Sequence, residues 1–275
     1  MYNQEQICRM LFLDIETARS NKKYEELSEG MQKMWEHKAK NIEPKDDSLS
    51  PAEKYYDKAA IYAEFGRVVC ISCGFIYEKE KELFFRVKSF YGKNEKKILE
   101  EFKHFLDTKT GKIDGYGNLL DKAGNKVFDN NGKKVSNERL LHYITAHNGR
   151  EFDIPYLCRR YLINQISLPQ MLEIRGKKPW EILHLIDTME MWKFGDNKNF
   201  TKLELLCNIF EIPTPKDDID GSQVGNVFWE EENYERIAIY CEKDVVATAQ
   251  LMLKYNLMPL IKEENIQYAD RIAIS

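Results

Sequence analysis

The sequence has no excess of positive charge: Lys and Arg total 41 against 45 Asp and Glu, a net charge of −4. No global field therefore draws it to a polyanion, and any affinity for nucleic acid must come from local patches or bound metal. It also lacks an apolar run of about 18 residues, so no segment reads as a membrane-spanning helix. Met1 to Arg9 lacks the charged-then-apolar layout of a secretory signal. A soluble protein of the cytoplasm, with no membrane partner, is expected. Cysteine is sparse, six in 275 residues, and Cys8, Cys70 and Cys73 fall in apolar, strand-like runs. That is no disulfide framework. The spacing Cys70-x-x-Cys73 suits zinc or redox chemistry, but no second pair and no His-x-x-x-His accompanies it. Reduced core thiols are expected instead.

What is present is a chain of 43% hydrophobic content, long enough to bury a sizeable core. One domain spanning residues 1–275 with two insertions is expected. Residues 7 to 13 read as a short apolar strand, with Asp14 arriving where it should end. From about 20 to 62 the text is rich in Lys and Glu and helix-forming, interrupted by a Pro44-to-Pro51 loop, which suggests a helical insertion. Val68 to Tyr77 and Lys81 to Ser89 alternate as a hairpin, and residues 94 to 106 carry Ile98, Leu99, Phe102, Phe105 and Leu106 at helical spacing.

Between about 108 and 138, Asp121, Gly124, Lys126 and Val127 are echoed by Asp129, Gly132, Lys134 and Val135. These turn signals read as a β-hairpin insertion rather than a calcium loop, whose closing glutamate is missing. Then come a strand at 143–147, a helix at 153–165, a strand at 185–191 and helices at 201–210 and 231–255. A meander followed by βαβ units implies an α/β fold, a mixed sheet with helices on both faces.

Asp14 and Glu16 lie two apart, so their side chains leave the same face of a strand, as a hard divalent cation requires. Alone, Asp-x-Glu is common and often merely solvated. Asp153 follows a strand where a helix begins, a position equally suited to capping that helix. Tyr240 and Asp244 stand one turn apart on the last helix, beside Ile237, Ile239, Val245, Ala249 and Leu251. An acid bordering an apolar stripe requires compensation, by a metal or by a neighbouring Lys or Arg.

Together, Leu13-Asp14-Ile15-Glu16-Thr17, Asn148 to Phe152-Asp153 and Tyr240-x-x-x-Asp244 resemble the three exonuclease motifs of the DEDDy family, in order and at family-like separations. The text Phe152-Asp153-Ile-Pro-Tyr-Leu-Cys-Arg159 looks closest to the proofreading exonuclease of family B DNA polymerases. The resemblance spans about residues 7 to 255 apart from the two insertions. A histidine one position further from the final Asp would mark the related DEDDh branch, and Ile239 stands there.

The resemblance implies a ribonuclease H-like fold with a five-stranded sheet, and hydrolysis of the terminal phosphodiester at a 3′ end to release nucleoside monophosphates. It further implies two Mg²⁺ or Mn²⁺ ions about 4 Å apart, held by Asp14, Glu16, Asp153 and Asp244. By the same resemblance Tyr240 would orient the attacking water, while Thr17, Asn148 and Phe152 would touch the terminal nucleotide, Phe152 reading equally as an ordinary core aromatic. Arg159-Arg160, Arg175 to Lys178 and Lys198 to Lys202 are candidate phosphate contacts, or equally solvated faces. Single-stranded DNA is the expected substrate, with a separate polymerase or repair partner if the protein proofreads. A ribonuclease D-like exoribonuclease is the nearest alternative, and a non-catalytic nucleic-acid-binding module the more distant one.

Overall fold

In the computed structural model all residues are described except 43–48, 115–117, 129–131, 135–139, 197–199 and 214–218. A short helix, α1 (Gln4–Ile7), leads into β1 (Met10–Arg19), followed by α2 (Glu29–Ala39) and α3 (Pro51–Lys58). The hairpin β2 (Gly66–Lys79) and β3 (Glu82–Tyr91) precedes α4 (Glu95–Lys109). Two-residue strands β4 (Lys112–Ile113) and β5 (Leu119–Leu120) come next, then β6 (Tyr143–Ala146), α5 (Asp153–Ile163), β7 (Leu185–Asp187), α6 (Thr188–Lys193) and α7 (Leu203–Ile209). The chain continues through α8 (Val224–Asn226), a π-helical turn at Val227–Glu231, α9 (Tyr234–Tyr255) and β8 (Ile266–Tyr268).

The five expected strands form one sheet, joined by a sixth at its edge, in the order β7-β6-β1-β2-β3-β8. β6 lies parallel to β1 and β7 parallel to β6, while β2 runs antiparallel to both β1 and β3, and β8 pairs parallel with β3. Only β2 therefore opposes the common direction. The edge strand β8 has no apolar run to announce it: Ile266-Gln-Tyr268 is short and largely exposed, and pairing with Phe85 to Val87 makes it a strand.

Alternation along β1 divides the core. Leu11, Leu13 and Ile15 join Ile98, Leu99 and Phe102 of α4 and Ile154 and Leu157 of α5 on one face. Met10 and Phe12 meet Val245, Ala249, Met252 and Leu253 of α9 on the other, and Ala18 meets Ile237, Ala238 and Cys241. Asn94 and Asn233 start α4 and α9 by accepting from the Lys97 and Arg236 N–H groups. The helical segment after β1 has its own cluster, in which Trp35 meets Tyr55 edge-on at 5.4 Å and Phe65 at 5.0 Å. Ser50 caps α3 in a capping box with Glu53, with Pro51 in the first turn.

Two expectations need correction, and a third lies partly outside the described residues. Asp14 lies within β1, not at its end, since that strand runs on to Arg19. The strand expected over 185–191 stops at Asp187, whose side chain accepts from the Met189 and Glu190 N–H groups and starts α6. The second half of the 121–135 near-repeat forms one bridge, Phe128 with Lys134; its Asp129 and Val135 lie outside the described residues, as does most of the Pro44-to-Pro51 loop.

Candidate active site

The alternation that buries Met10, Phe12 and Ala18 against α9 aims Asp14 and Glu16 at the same helix. Glu16 is 8% exposed and Asp14 half-buried. Opposite them the register slips: Glu16 faces Cys70 but Thr17 faces Val68, leaving Val69 as a β-bulge next to the acids. From α9 the Cys241 thiol donates to Asp14 Oδ2 at 3.2 Å. Ligand atoms of Asp14, Glu16 and Cys241 all lie within 4.8 Å of one another.

Asp153 reaches the same place from the other face of the sheet. It is the first residue of α5, yet it does not serve as the cap: that position is Phe152, which makes no side-chain cap bond. Asp153 Oδ1 instead accepts the Ile15 N–H at 3.1 Å. β6 pairs with β1 only as far as Phe12, so Asp153 takes up the central strand where its parallel neighbour has stopped. Gly149 permits this tight entry, because a Cβ there would collide with that of Ala146.

The electrostatics follow from burial. Desolvation, then repulsion from Asp153 and Asp244, holds Asp14 well above the usual carboxylate range despite the Cys241 hydrogen bond. Glu16 is raised by desolvation, then by Asp14 and Asp244. Asp153 is pushed up to about 7 by desolvation, with Asp187 and Asp244 adding to the rise and N–H donors opposing it. The charges that raise these three acids are those of neighbouring acids, Asp244 and Asp187 among them. Such a set is costly unless protonated or neutralised by a bound cation, so the residues fit a divalent ion held by oxygens. The thiol departs from the oxygen-only donor set expected from sequence. Burial pushes the Cys241 thiol well above its usual range, so it acts as a hydrogen-bond donor rather than as a thiolate ligand.

Tyr240, half-buried in the second turn of α9, packs against the apolar cluster that includes Ala18, Ile237 and Cys241. Thr17 is buried and its side chain bonds to that of Tyr156. Phe152 stacks obliquely on Tyr156, 5.4 Å between ring centres, and remains half-buried against the core. Asn148 has a left-handed backbone, φ 61°, and its Oδ1 is buried without a partner. What holds it there is Asp187, a residue that sequence reasoning passed over. This 3%-exposed carboxylate accepts from Asn148 and Arg150 N–H, both at 3.0 Å, as well as from Met189 and Glu190. His147 completes the loop's anchorage through Thr188 Oγ1 at 2.9 Å and the Thr201 carbonyl at 2.8 Å. The signal for Asp187 was an Asp-Thr pair closing an apolar run, a helix-capping pattern.

The candidate phosphate contacts separate. Arg160 is buried, with its Nη2 2.6 Å and its Nε 2.8 Å from the two oxygens of Glu95, which makes it a structural ion pair. Arg159 lies at the surface, and Arg175 is paired with Glu173 at 2.6 Å. Lys177, Lys178 and Lys202 are exposed, and Lys198 lies outside the described residues.

A central strand with an antiparallel hairpin on one side and two parallel strands on the other, helices on both faces and acids on the middle strand define a ribonuclease H-like exonuclease fold. The chain belongs to the family of predicted 3′-5′ exonucleases related to the exonuclease domain of PolB, whose model matches residues 134–272. That stretch holds Asn148, Asp153, Tyr240 and Asp244 and leaves out β1 with Asp14 and Glu16. No curated protein matches the chain. Among the described residues no helix is long and apolar enough to cross a membrane.

Proposed function

We propose that this protein removes nucleotides from the 3′ ends of single-stranded DNA in a metal-dependent reaction centred on Asp14, Glu16, Asp153 and Asp244. The observation that carries the proposal is the convergence of Asp14 and Glu16 of β1 with Asp153 of α5, which is bonded to the Ile15 N–H between them; burial and neighbouring acids raise all three, a cost that a bound cation relieves. Two divalent ions, Mg²⁺ or Mn²⁺, held by the four acids would supply charge neutralisation at the scissile phosphate and a more acidic attacking water.

The remaining work belongs to the chain. Asp14, central to the set, would help to hold the metal, and its Oδ2 is oriented by the Cys241 thiol. Asp153 is tied through the Ile15 N–H to the strand that carries Asp14 and Glu16. Tyr240 orients the water with its hydroxyl; a phenol of pKa near 10 is a poor base at neutral pH. Asn148 offers its unpartnered Oδ1 to the terminal nucleotide, and the half-buried Phe152 offers it a ring face, which tolerates any base. Thr17 lines the same side through its bond to Tyr156.

The test is a 5′-labelled oligonucleotide, as DNA and as RNA of one sequence, incubated with the protein and Mn²⁺. Stepwise shortening of the DNA, abolished by EDTA and by Asp14→Ala, is expected. Shortening of RNA alone favours the exoribonuclease reading. Binding without shortening of either strand refutes catalysis and favours a binding module.

A further inference from the structure

The interface between α9 and the sheet is apolar above and below one line, and along that line it is polar. Asp14 on β1 lies opposite Ser72 on β2, and Ser72 lies opposite Ser89 on β3. Over them sit Cys241 and Glu242 of α9. Glu242 is fully buried, although its place between Tyr240 and Asp244 in the sequence gives no hint of it. Its Oε1 accepts the Ser89 hydroxyl at 2.8 Å, and its Oε2 receives Arg271 at 2.6 and 2.9 Å. From Ser89 the row continues to Ser72 at 2.7 Å, to Cys70 at 3.5 Å, to Cys241 through a thiol–thiol contact, and to Asp14 at 3.2 Å.

Proton directions are constrained along this row. Ser89 donates to Glu242, so Ser72 donates to Ser89 and Cys70 can donate to Ser72. At the other end Cys241 donates to Asp14. Four protons serve five contacts, so the two runs of donors diverge from the Cys70–Cys241 pair, where the two sulfurs pack against each other without a hydrogen bond. A row of polar groups across an apolar interface is expensive unless every member is satisfied, and Arg271 supplies a positive charge that lets Glu242 stay buried.

We propose that Arg271, in the segment after β8 and at the far end of this row, is a positioning residue for the acid centre, acting through Glu242, Ser89, Ser72, Cys70 and Cys241 on Asp14. Neutralising Glu242 seats that turn of α9 on the sheet, and the same turn carries Tyr240, Cys241 and Asp244. This inference rests on the nuclease reading and adds to it a dependence on a segment remote from the acids.

The experiment compares Arg271→Met, Arg271→Lys and Cys70→Ala with the parent protein. The full-length proteins are measured for Mn²⁺ affinity by electron paramagnetic resonance and for kcat and KM on the oligonucleotide. Outer partners of metal ligands change affinity or rate by about 10–100-fold when removed. Arg271→Met, several contacts further out, is expected to weaken Mn²⁺ binding and lower kcat by about the lower end of that range, roughly 10-fold, while KM stays within about twofold, with Arg271→Lys recovering part of both. Glu242→Gln added to Arg271→Met should restore Mn²⁺ affinity in part, because the uncompensated charge is gone. Cys70→Ala tests the row with the ion pair left intact, and is expected to act in the same direction. Lys262→Met, on the other side of β8 in sequence, breaks an exposed pair with Glu82 and is expected to change nothing. Parent-like Mn²⁺ affinity and kcat in both Arg271→Met and Cys70→Ala overturn the proposal, as does a loss confined to KM. If Arg271→Met fails to fold, Cys70→Ala and Arg271→Lys decide. A parent protein that binds Mn²⁺ but cleaves nothing overturns the nuclease reading instead, and the Mn²⁺ affinities still judge the row.

Discussion

Replacing Asp153 by asparagine should stabilise the metal-free protein at alkaline pH. The carboxyl stands at about 7 in the fold against a usual 3.8, raised by burial first and then by Asp187 and Asp244. A folded group that keeps its proton to higher pH than the denatured chain contributes stability that is complete below about 3.8 and lost as pH climbs to about 7. Integrating between those values makes the fold about 2–3 kcal/mol less stable at pH 8 than at pH 5. Asparagine has nearly the same shape and can still accept the Ile15 N–H through its Oδ1, yet it does not titrate. The stability gap between Asp153→Asn and the parent should therefore widen by about 2–3 kcal/mol from pH 5 to pH 8, or roughly 5–10 °C in melting temperature for a chain of this size.

The assay is thermal unfolding in EDTA across that pH range, repeated with excess Mn²⁺. A cation present at about a hundred times its Kd adds roughly 2.7 kcal/mol to whichever protein binds it. It should close the gap for the parent and do far less for the variant. Asp14 and Glu16 titrate in both proteins, so the widening reports Asp153 together with its repulsion of the other two. A gap that is constant with pH, or equal stabilisation of both proteins by Mn²⁺, refutes the argument that these acids are held together against their own repulsion.

Tyr240→Phe should lower kcat by about 10²–10³-fold, as loss of one positioned hydrogen bond does elsewhere, with KM for the oligonucleotide and Mn²⁺ affinity unchanged; steady-state kinetics separates the two. Asp187→Ala removes the acceptor of four N–H groups and should cost a few kcal/mol of stability while raising KM, because Asn148 is released; denaturant unfolding and an initial-rate series check both. Glu95→Ala leaves Arg160 buried without its carboxylate and should cost about 3–5 kcal/mol, seen as a melting temperature lower by roughly 6–20 °C.

What the sequence announced and what it hid divide along physical lines. Alternation told that Asp14 and Glu16 share a face, and helical spacing that Tyr240 and Asp244 share another, because both periods are local properties of the backbone. Whether Asp153 caps its own helix or joins the acids is not local. It depends on β6 stopping at Ala146 and leaving the Ile15 N–H within reach, a fact of strand lengths that only the assembled sheet contains. Arg160 misled for the same reason: beside Arg159 it reads as a surface cluster, and a carboxylate 65 residues away makes it an interior group. Glu242 is the extreme case. Flanked by Cys241 and Lys243 it carries no signal of burial, and its partners Ser89 and Arg271 are 153 residues before it and 29 after. Acids that meet a cation can be recognised by their local pattern, whereas acids neutralised by a distant side chain cannot. On α9 the neutralised Glu242 and the proposed metal ligand Asp244 stand two residues apart. That is why the motif identified Asp244 and passed over its neighbour, and why the polar row from Arg271 to Asp14 is visible only once the helix lies on the sheet.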